Sequence, residues 1–397
     1  MKLQKEVIAM LIICIGLLAS LSFVGSASNG IPDYVEGEII VKYTEEVVNA
    51  DGNEIIVEGE KSYEKIIYDG ISRAVEIEKI VPNKELYTLR FEKGLEVEDL
   101  IEEYENLEEV EYAEPNYLLT SFVVPNDINY SLKWGLPNID AERAWNLSIG
   151  NGSDVVIAIV DTGVDWDHPD LSGNIWNNTD EMCNESSDDD GNGYNGDCRG
   201  YDFTDINTTI YTDAGYTLDD GEDYNTTENN PMDYHGHGTH CSGISSAVGN
   251  NSLGVLGVCW NCSIMAVRAG FKIQHPTQGW VGSLETDDVV AAINYVTKNN
   301  ATVVSMSFGG SHSTSLDAAL NDSYDNGSIL VAASGNAGTN SKQYPCGYDK
   351  VICVAATDSD NTSASYSNYG SWVDVAAPGT SVWSTYYDDR YISASGT

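Results

Sequence analysis

Three segments carry residue types that could do chemistry together. In "VDTGVD", Asp161 closes an unbroken apolar run from Val155 to Val160. A carboxylate where a buried strand emerges is costly unless something uses its charge. In "DYHGHGTHCSG", His235, His237 and His240 fall within six residues. Neutral imidazoles so clustered suit zinc; one of them paired with Asp161 would instead be a base held by a carboxylate. On these residues alone both readings stand. In "LVAASGNAGTN", Asn336 occupies a Gly-flanked turn after an apolar run. Its amide could donate to a developing oxyanion or bond its own backbone turn. Asp-Thr-Gly is also an aspartic-protease signature, but that chemistry needs two carboxylates sharing a proton. No second Asp-Thr-Gly or Asp-Ser-Gly occurs, so only a dimer would supply it. Asp, His and an amide donor in that order lack only a nucleophile further on.

The elements that must position these residues are legible from about Pro125 onward. Buried-strand candidates are residues 154–161, 262–270, 301–308, 328–335 and 350–357. Helical stretches lie between them: one follows His237, one spans 283–300 with Val289, Ala292, Ile293 and Val296 on one face, and one spans 313–327. Apolar strands alternating with helices predict an α/β fold with a doubly wound parallel sheet, whose ligands gather at the carboxyl ends of the strands. Residues 28–122 differ. They are Glu-rich and lack Cys and Trp. "GEIIVKY" and "KELYTLRFE" alternate like strands, and "VEDLIEEYENLEEVEYAEPNY" reads as a helix, with Leu100, Ile101, Tyr104 and Leu107 at helical spacing, followed by a strand. That predicts a small α+β domain ahead of the main body, 123–397.

Residues 1–27 have the three-part pattern of a secretory signal: Lys2 and Lys5, an apolar run from Val7 to Leu18, then Gly25, Ser26 and Ala27. Export implies an oxidising setting, and the eight cysteines fit it. Cys14 leaves with the signal. Local pairing joins Cys183 with Cys198, Cys259 with Cys262 and Cys346 with Cys353, and leaves Cys241 over. Cys259-x-x-Cys262 could be half a zinc site or a redox motif, but no second Cys-x-x-Cys exists, which favours a short disulfide. Asp plus Glu number 62 against 19 for Lys plus Arg, a net charge of −43. Such a chain is repelled by nucleic acid and by anionic lipid. Most of that charge reads as a solvated surface, and two short stretches read as cation sites.

Taken together, "VDTGV", "HGTHCSG", "SMSFGG", "AASGNAG" and the final "SGT" resemble the subtilisin-like serine proteases (subtilases). The order Asp, His, Ser is that of subtilisin itself. The resemblance implies a subtilisin-like sheet and gives roles to three residues. His237 takes the proton of the nucleophile, Asp161 holds the imidazole tautomer, and Asn336 donates to the oxyanion. The nucleophilic serine of these proteins directly follows Gly-Thr, so the sequence is expected to stop at Thr397, one residue before it. Ser307, Phe308, Gly309 and Gly310 are implied as a substrate-pairing edge, with a second edge at Gly282 and Ser283 and further contacts at Ser334 and Gly335. Cys241 resembles the buried free thiol of proteinase K-like members, although a small core residue is the preferred reading. Residues 28–122 resemble an inhibitory propeptide, cleaved between Tyr117 and Asn126.

"VGNNSLGVLGV" (248–258) and "HPDL" resemble the family's strong calcium site. This implies side-chain ligands Asp170, Asn251 and Asp127, with carbonyls of Gly249, Leu253 and Val255. In "DDDGNGYNGD", Asp188, Asp190 and Asn192 precede Gly193 as in half an EF-hand loop, but Arg199 stands at the twelfth position. Asp197 is the expected further ligand there, and calcium relieves the mutual repulsion of the carboxylates. The expectation is a secreted, monomeric, calcium-stabilised serine endopeptidase that acts on proteins or peptides. It is inhibited by its own propeptide, and it has no nucleic-acid partner and no membrane anchor. A catalytically inactive binding or scaffold relative is the alternative.

Overall fold

The computed structural model describes residues 34–44, 67–68, 71–72, 76–81, 84–91, 94–108, 110–118, 124–150, 155–183 and 187–397. The proposed signal, 1–27, lies outside them. The chain divides into two compact units between Ser121 and Phe122.

In the first unit β1 (Tyr34–Tyr43), β4 (Glu76–Lys79), β5 (Leu86–Arg90) and β6 (Val110–Tyr117) form an antiparallel sheet in the order β4-β5-β1-β6, and β2 (Ile67–Tyr68) pairs with β3 (Ile71–Ser72). Ile39, Val41 and Tyr43 alternate along β1 and are buried, as the two-residue period of a strand requires when one face is covered. The helix Val97–Glu105 shares their core through Val97, Leu100 and Tyr104. Leu100 and Tyr104 lie four apart, on one helix face.

The second unit is built on seven parallel strands: β7 (Val156–Asp161), β8 (Gly200–Asp202), β10 (Ser263–Arg268), β13 (Val303–Met306), β14 (Ile329–Ala333), β15 (Val351–Thr357) and β16 (Val375–Pro378). Their order is β16-β15-β14-β13-β7-β10-β8. All six residues of β7 are buried. Val156, Ala158 and Val160 join one core with Val289, Ala292, Ile293 and Val296 of the helix Thr286–Lys298 and Leu316 and Leu320 of the helix Thr314–Asp325. Ile157 and Ile159 face the opposite core, with Leu171, Ala247 and Val255. A strand covered on both faces has no alternation, hence the continuous apolar run in the sequence. From β7 the chain runs to β8 at one edge and back through β10, whereas from β13, on the other side of β7, it runs outward through β14, β15 and β16. The carboxyl end of β7, where Asp161 stands, is therefore a topological switch point.

A smaller antiparallel sheet is set beside this one, in the order β12-β11-β9, from β9 (Thr217–Leu218), β11 (Gly270–His275) and β12 (Gly279–Leu284). β17 (Val382–Tyr386) and β18 (Arg390–Ala394) form a hairpin. Ser283 and Leu284 close β12; the helix expected from 283 starts at Thr286. At the end of β10 the buried Arg268 donates to Asp202, to Glu222 (2.7 Å) and to the Asp223 carbonyl (2.7 Å). This ion network ties residues 219–223 to the strand beside Asp161.

Candidate active site

Asp161 is buried at the end of β7, and its Oδ1 lies 2.7 Å from His237 Nδ1. The same oxygen accepts the Thr162 N–H at 2.7 Å. His237 is the first residue of the helix His237–Ser246. Its side chain is 45% exposed against 2% for Asp161, so the imidazole reaches outward from a fixed carboxylate. The Asp161 charge pushes the His237 pKa up to about 9, against the opposing effect of burial. With Nδ1 committed to Asp161, Nε2 is the nitrogen left for a reacting group. Helix and strand can approach this closely because residue 238 is glycine: a Cβ there would lie 2.1 Å from the Gly163 carbonyl oxygen.

The sequence reading missed Asp233, which organises the pair. Its buried carboxylate accepts from the Thr162 hydroxyl (2.9 Å), the His235 and Gly236 N–H groups (2.9 and 2.7 Å), and both the N–H and hydroxyl of Thr239 (2.9 and 2.6 Å). It thus ties the loop after β7 to the start of the His237 helix. A charged acceptor at a helix start is favourable in its own right. Asp233→Ala is expected to lower the unfolding free energy by roughly 3 kcal/mol; a denaturant titration showing a loss under about 1 kcal/mol would remove this role.

The three histidines do not converge. His240 Nε2 lies 3.1 Å from the Val382 carbonyl, and burial pushes its pKa down to about 4. His235 Nδ1 is buried beside Gly282 without a hydrogen-bond partner among the described residues. Among the described residues, the metal-capable group here is Asp161, His237 and Cys241, with a single histidine. The zinc reading of "HGHGTH" is thereby set aside in favour of the Asp–His pair. Cys241 Sγ comes within 4.8 Å of both partners, but burial pushes its thiol up, which keeps it protonated and unreactive.

Asn336 is held by the far end of the chain. Its Oδ1 accepts both the Thr397 N–H (3.0 Å) and hydroxyl (3.1 Å), and the Thr397 hydroxyl in turn accepts the Gly335 N–H at 3.0 Å. With Oδ1 fixed as acceptor, the Nδ2 donors are the free face of the amide. Gly335 has φ of +102°, and a Cβ there would meet Asn368 Nδ2 at 2.5 Å. Asn368, buried beneath the turn, accepts from the Ala337 and Thr339 N–H groups (both 3.1 Å) and donates to the Ser334 carbonyl at 3.0 Å. Ser334 is itself fully buried, and its hydroxyl donates to the Asn368 carbonyl at 3.3 Å. Its side chain therefore shapes the turn from below. Ser307, Phe308, Gly309 and Gly310 follow β13, and Gly309 and Gly310 are exposed. Gly282 and Ser283 lie on β12, the outermost strand of its sheet.

Asp170 is fully buried and accepts from Asn251 Nδ2 and the Val255 N–H, both at 2.7 Å. Asp127, also buried, accepts the Asn250 N–H at 2.9 Å through one oxygen, while Oδ1 has no hydrogen-bond partner among the described residues. Burial first, and then the Asp170 charge, raise its pKa. The Leu253 carbonyl accepts the Ile128 N–H at 2.8 Å. The orphaned Asp127 oxygen, with a second buried carboxylate in Asp170, is the kind of donor a hard cation takes, while the Asn251 amide oxygen accepts the Leu253 N–H at 2.8 Å.

In the 178–198 loop, Glu181, Asp188 and Asp190 bring carboxylate oxygens within 4.8 Å of one another. Glu181 was not singled out from the sequence; it is buried and accepts the Asp189, Asp190 and Gly196 N–H groups. Asp188 Oδ1 is buried without a hydrogen-bond partner among the described residues. Asn192 Nδ2 bridges Asp190 and Asp197, each at 3.0 Å, and Asp197 also accepts from the Tyr295 hydroxyl at 2.7 Å. Cys183 and Cys198 are bonded across this loop; Cys259 is bonded to Cys262, Cys346 to Cys353, and Cys241 is free.

Residues 152–397 match the Subtilase family, and residues 72–116 match the fervidolysin N-terminal prodomain. The chain therefore belongs to the subtilase family. It is 35% identical over 368 residues to the Thermophilic serine proteinase of Bacillus sp. (strain AK1), covering 92% of this chain and 75% of that protein. It is 37% identical over 276 residues to Thermitase of Thermoactinomyces vulgaris, covering 69% and 80%. Among solved structures, a protease of Pseudoalteromonas arctica PAMC 21717 superposes with a TM-score of 0.52 at 27% identity, over 69% of this chain and 82% of that one. The second unit has the α/β subtilisin-like fold, and the first matches a prodomain.

Proposed function

We propose that this chain is the precursor of a secreted, monomeric, calcium-stabilised serine endopeptidase whose nucleophile is a serine immediately after Thr397. The 2.7 Å contact between His237 and Asp161 carries the reading. It presents a base whose tautomer is already set, in a member of the subtilase family. The Thr397 N–H bonds Asn336, and consecutive Cα atoms are about 3.8 Å apart. A serine following Thr397 would begin beside the amide that is to donate to the oxyanion. His237 Nε2 takes the serine proton as the hydroxyl attacks the scissile carbonyl. Asp161 steadies the imidazolium, Asn336 Nδ2 donates to the carbonyl oxygen as it becomes an oxyanion, and His237 returns the proton to the leaving amine. Substrate pairs as an extended strand along Ser307–Gly309, where the backbone bridge between Gly310 and Tyr344 ends the edge, and along the β12 edge at Gly282–Ser283. Calcium, when bound through Asp127, Asp170 and Asn251, and through the 178–198 loop, supplies neutralising charge for these carboxylates. Residues 1–27 direct export, and residues 28–122 inhibit the cleft until cleavage between Tyr117 and Asn126. Among the described residues no helix is long and apolar enough to cross a membrane.

The test is peptidase activity against pH. The full-length protein should hydrolyse a peptide anilide and a chain ending at Thr397 should not. Because Asp161 raises His237 above the ordinary imidazole value, the neutral base accumulates only as pH climbs through that raised value. kcat/KM should therefore rise on the alkaline side of about pH 6.5. Absence of turnover in the full-length protein would leave the inactive-module reading in its place.

A further inference from the structure

The β17–β18 hairpin meets the start of the His237 helix through contacts to which the roles above assign nothing; the inference rests on the protease reading. Three consecutive hydroxyls of β17 donate to backbone carbonyls there: Ser384 to His240 (2.7 Å), Thr385 to Thr239 (2.7 Å) and Tyr386 to His235 (2.9 Å). Ser384 and Thr385 are buried against the helix itself: a Cβ built at Gly243 would stand 2.2 Å from Thr385 Oγ1 and 2.5 Å from Ser384 Oγ. Tyr386 reaches ahead of the helix, to the chain that leads into it.

The His235 carbonyl and the Gly236 N–H belong to one peptide unit. Tyr386 holds its carbonyl edge, and Asp233 accepts the N–H on the opposite edge at 2.7 Å. A peptide unit is planar, so bonds on both edges fix the direction in which the chain enters His237. Such pins matter at this point, because Gly236 has φ of +98° and glycine by itself leaves the backbone free to rotate. The Tyr386 ring also occupies the space a side chain would take: a Cβ at Gly236 would stand 2.2 Å from its Cε2. On its other side Tyr386 pairs in register with Arg390 of β18, the strand that runs on toward Thr397 and its bond to Asn336. One side chain thus joins the entry to the base's helix with the hairpin that leads to the proposed nucleophile. We propose that Tyr386 is a positioning residue: by pinning the 235–236 peptide it keeps the His237 imidazole in line with the serine hydroxyl whose proton it takes.

The full-length protease should be compared with Tyr386→Phe, which removes only the hydroxyl, and Tyr386→Leu, which also removes the ring beneath Gly236. A displacement of about 1 Å in a reacting group costs on the order of 10²-fold in rate. Tyr386→Phe should therefore lower kcat about tenfold with KM within about twofold of wild type, and Tyr386→Leu should lower kcat further. The rate of fluorophosphonate labelling should fall by the same factor as kcat, with the thermal midpoint of Tyr386→Phe within about 4 °C of wild type. A merely structural hydroxyl would move the midpoint and leave both rates intact. Should Tyr386→Leu misfold, Tyr386→Phe decides. Unchanged kcat in folded Tyr386→Phe, or a loss confined to KM, would overturn the assignment of Tyr386 alone. A wild type with no turnover would overturn it together with the protease reading.

Discussion

Replacing His237 by alanine in the full-length protease is expected to lower kcat by about 10⁴-fold or more with little change in thermal midpoint. The two halves of that expectation come from different features. The imidazole is nearly half exposed and is held by one carboxylate, so little packing is lost with it. The reaction loses its proton acceptor and its proton donor together, because the same nitrogen serves both steps. Asn336→Ala should be milder, about 10² to 10³ in kcat, since one donor to the oxyanion is removed while the base remains. A His237→Ala enzyme within tenfold of wild type would show that another group carries the proton.

Chelation of calcium should lower the thermal midpoint by roughly 5–15 °C. A ligand held at 100 to 1,000 times its Kd stabilises by about 3–4 kcal/mol, and each kcal/mol moves the midpoint of a domain this size by roughly 2–4 °C. The physical source is the buried pair Asp127 and Asp170, which has no ion-pair partner among the described residues. Without a cation, burial holds Asp127 above the ordinary carboxylate range. Its charge then opposes folding at neutral pH, and this opposition eases as pH falls through the raised value. Asp170→Ala should abolish most of the chelator response. A midpoint indifferent to chelator in the wild type would exclude both proposed sites.

Much of this architecture was legible because the parallel sheet is covered on both faces. Val155–Val160 could be read as a buried strand, and Asp161 as its conspicuous end, from the run alone. The helix face of Val289, Ala292, Ile293 and Val296 was equally plain, and those side chains are buried. β8 and β16 were not legible: the first is three residues long, and the second is an edge strand of half-exposed Val, Ala and Pro. The β11–β12 hairpin was hidden because Gly279–Leu284 lies at a sheet edge with no fully buried residue. Asp233 and Asn368 were missed for a shared reason. Each works through contacts distant in sequence or through backbone donors, and an isolated Asp or Asn in a polar loop carries no local signal of that. Asp233 lies four residues before His237, and Glu181 two before Cys183, the nearest things to a hint.

The most direct measurement is covalent labelling of the full-length protein by a fluorophosphonate, with the adduct located by peptide mass spectrometry. The account expects one adduct, on a serine in the peptide that continues from Gly396-Thr397, formed rapidly in the wild type and slowed by orders of magnitude in His237→Ala. Labelling elsewhere, or an equal rate without the imidazole, would contradict it.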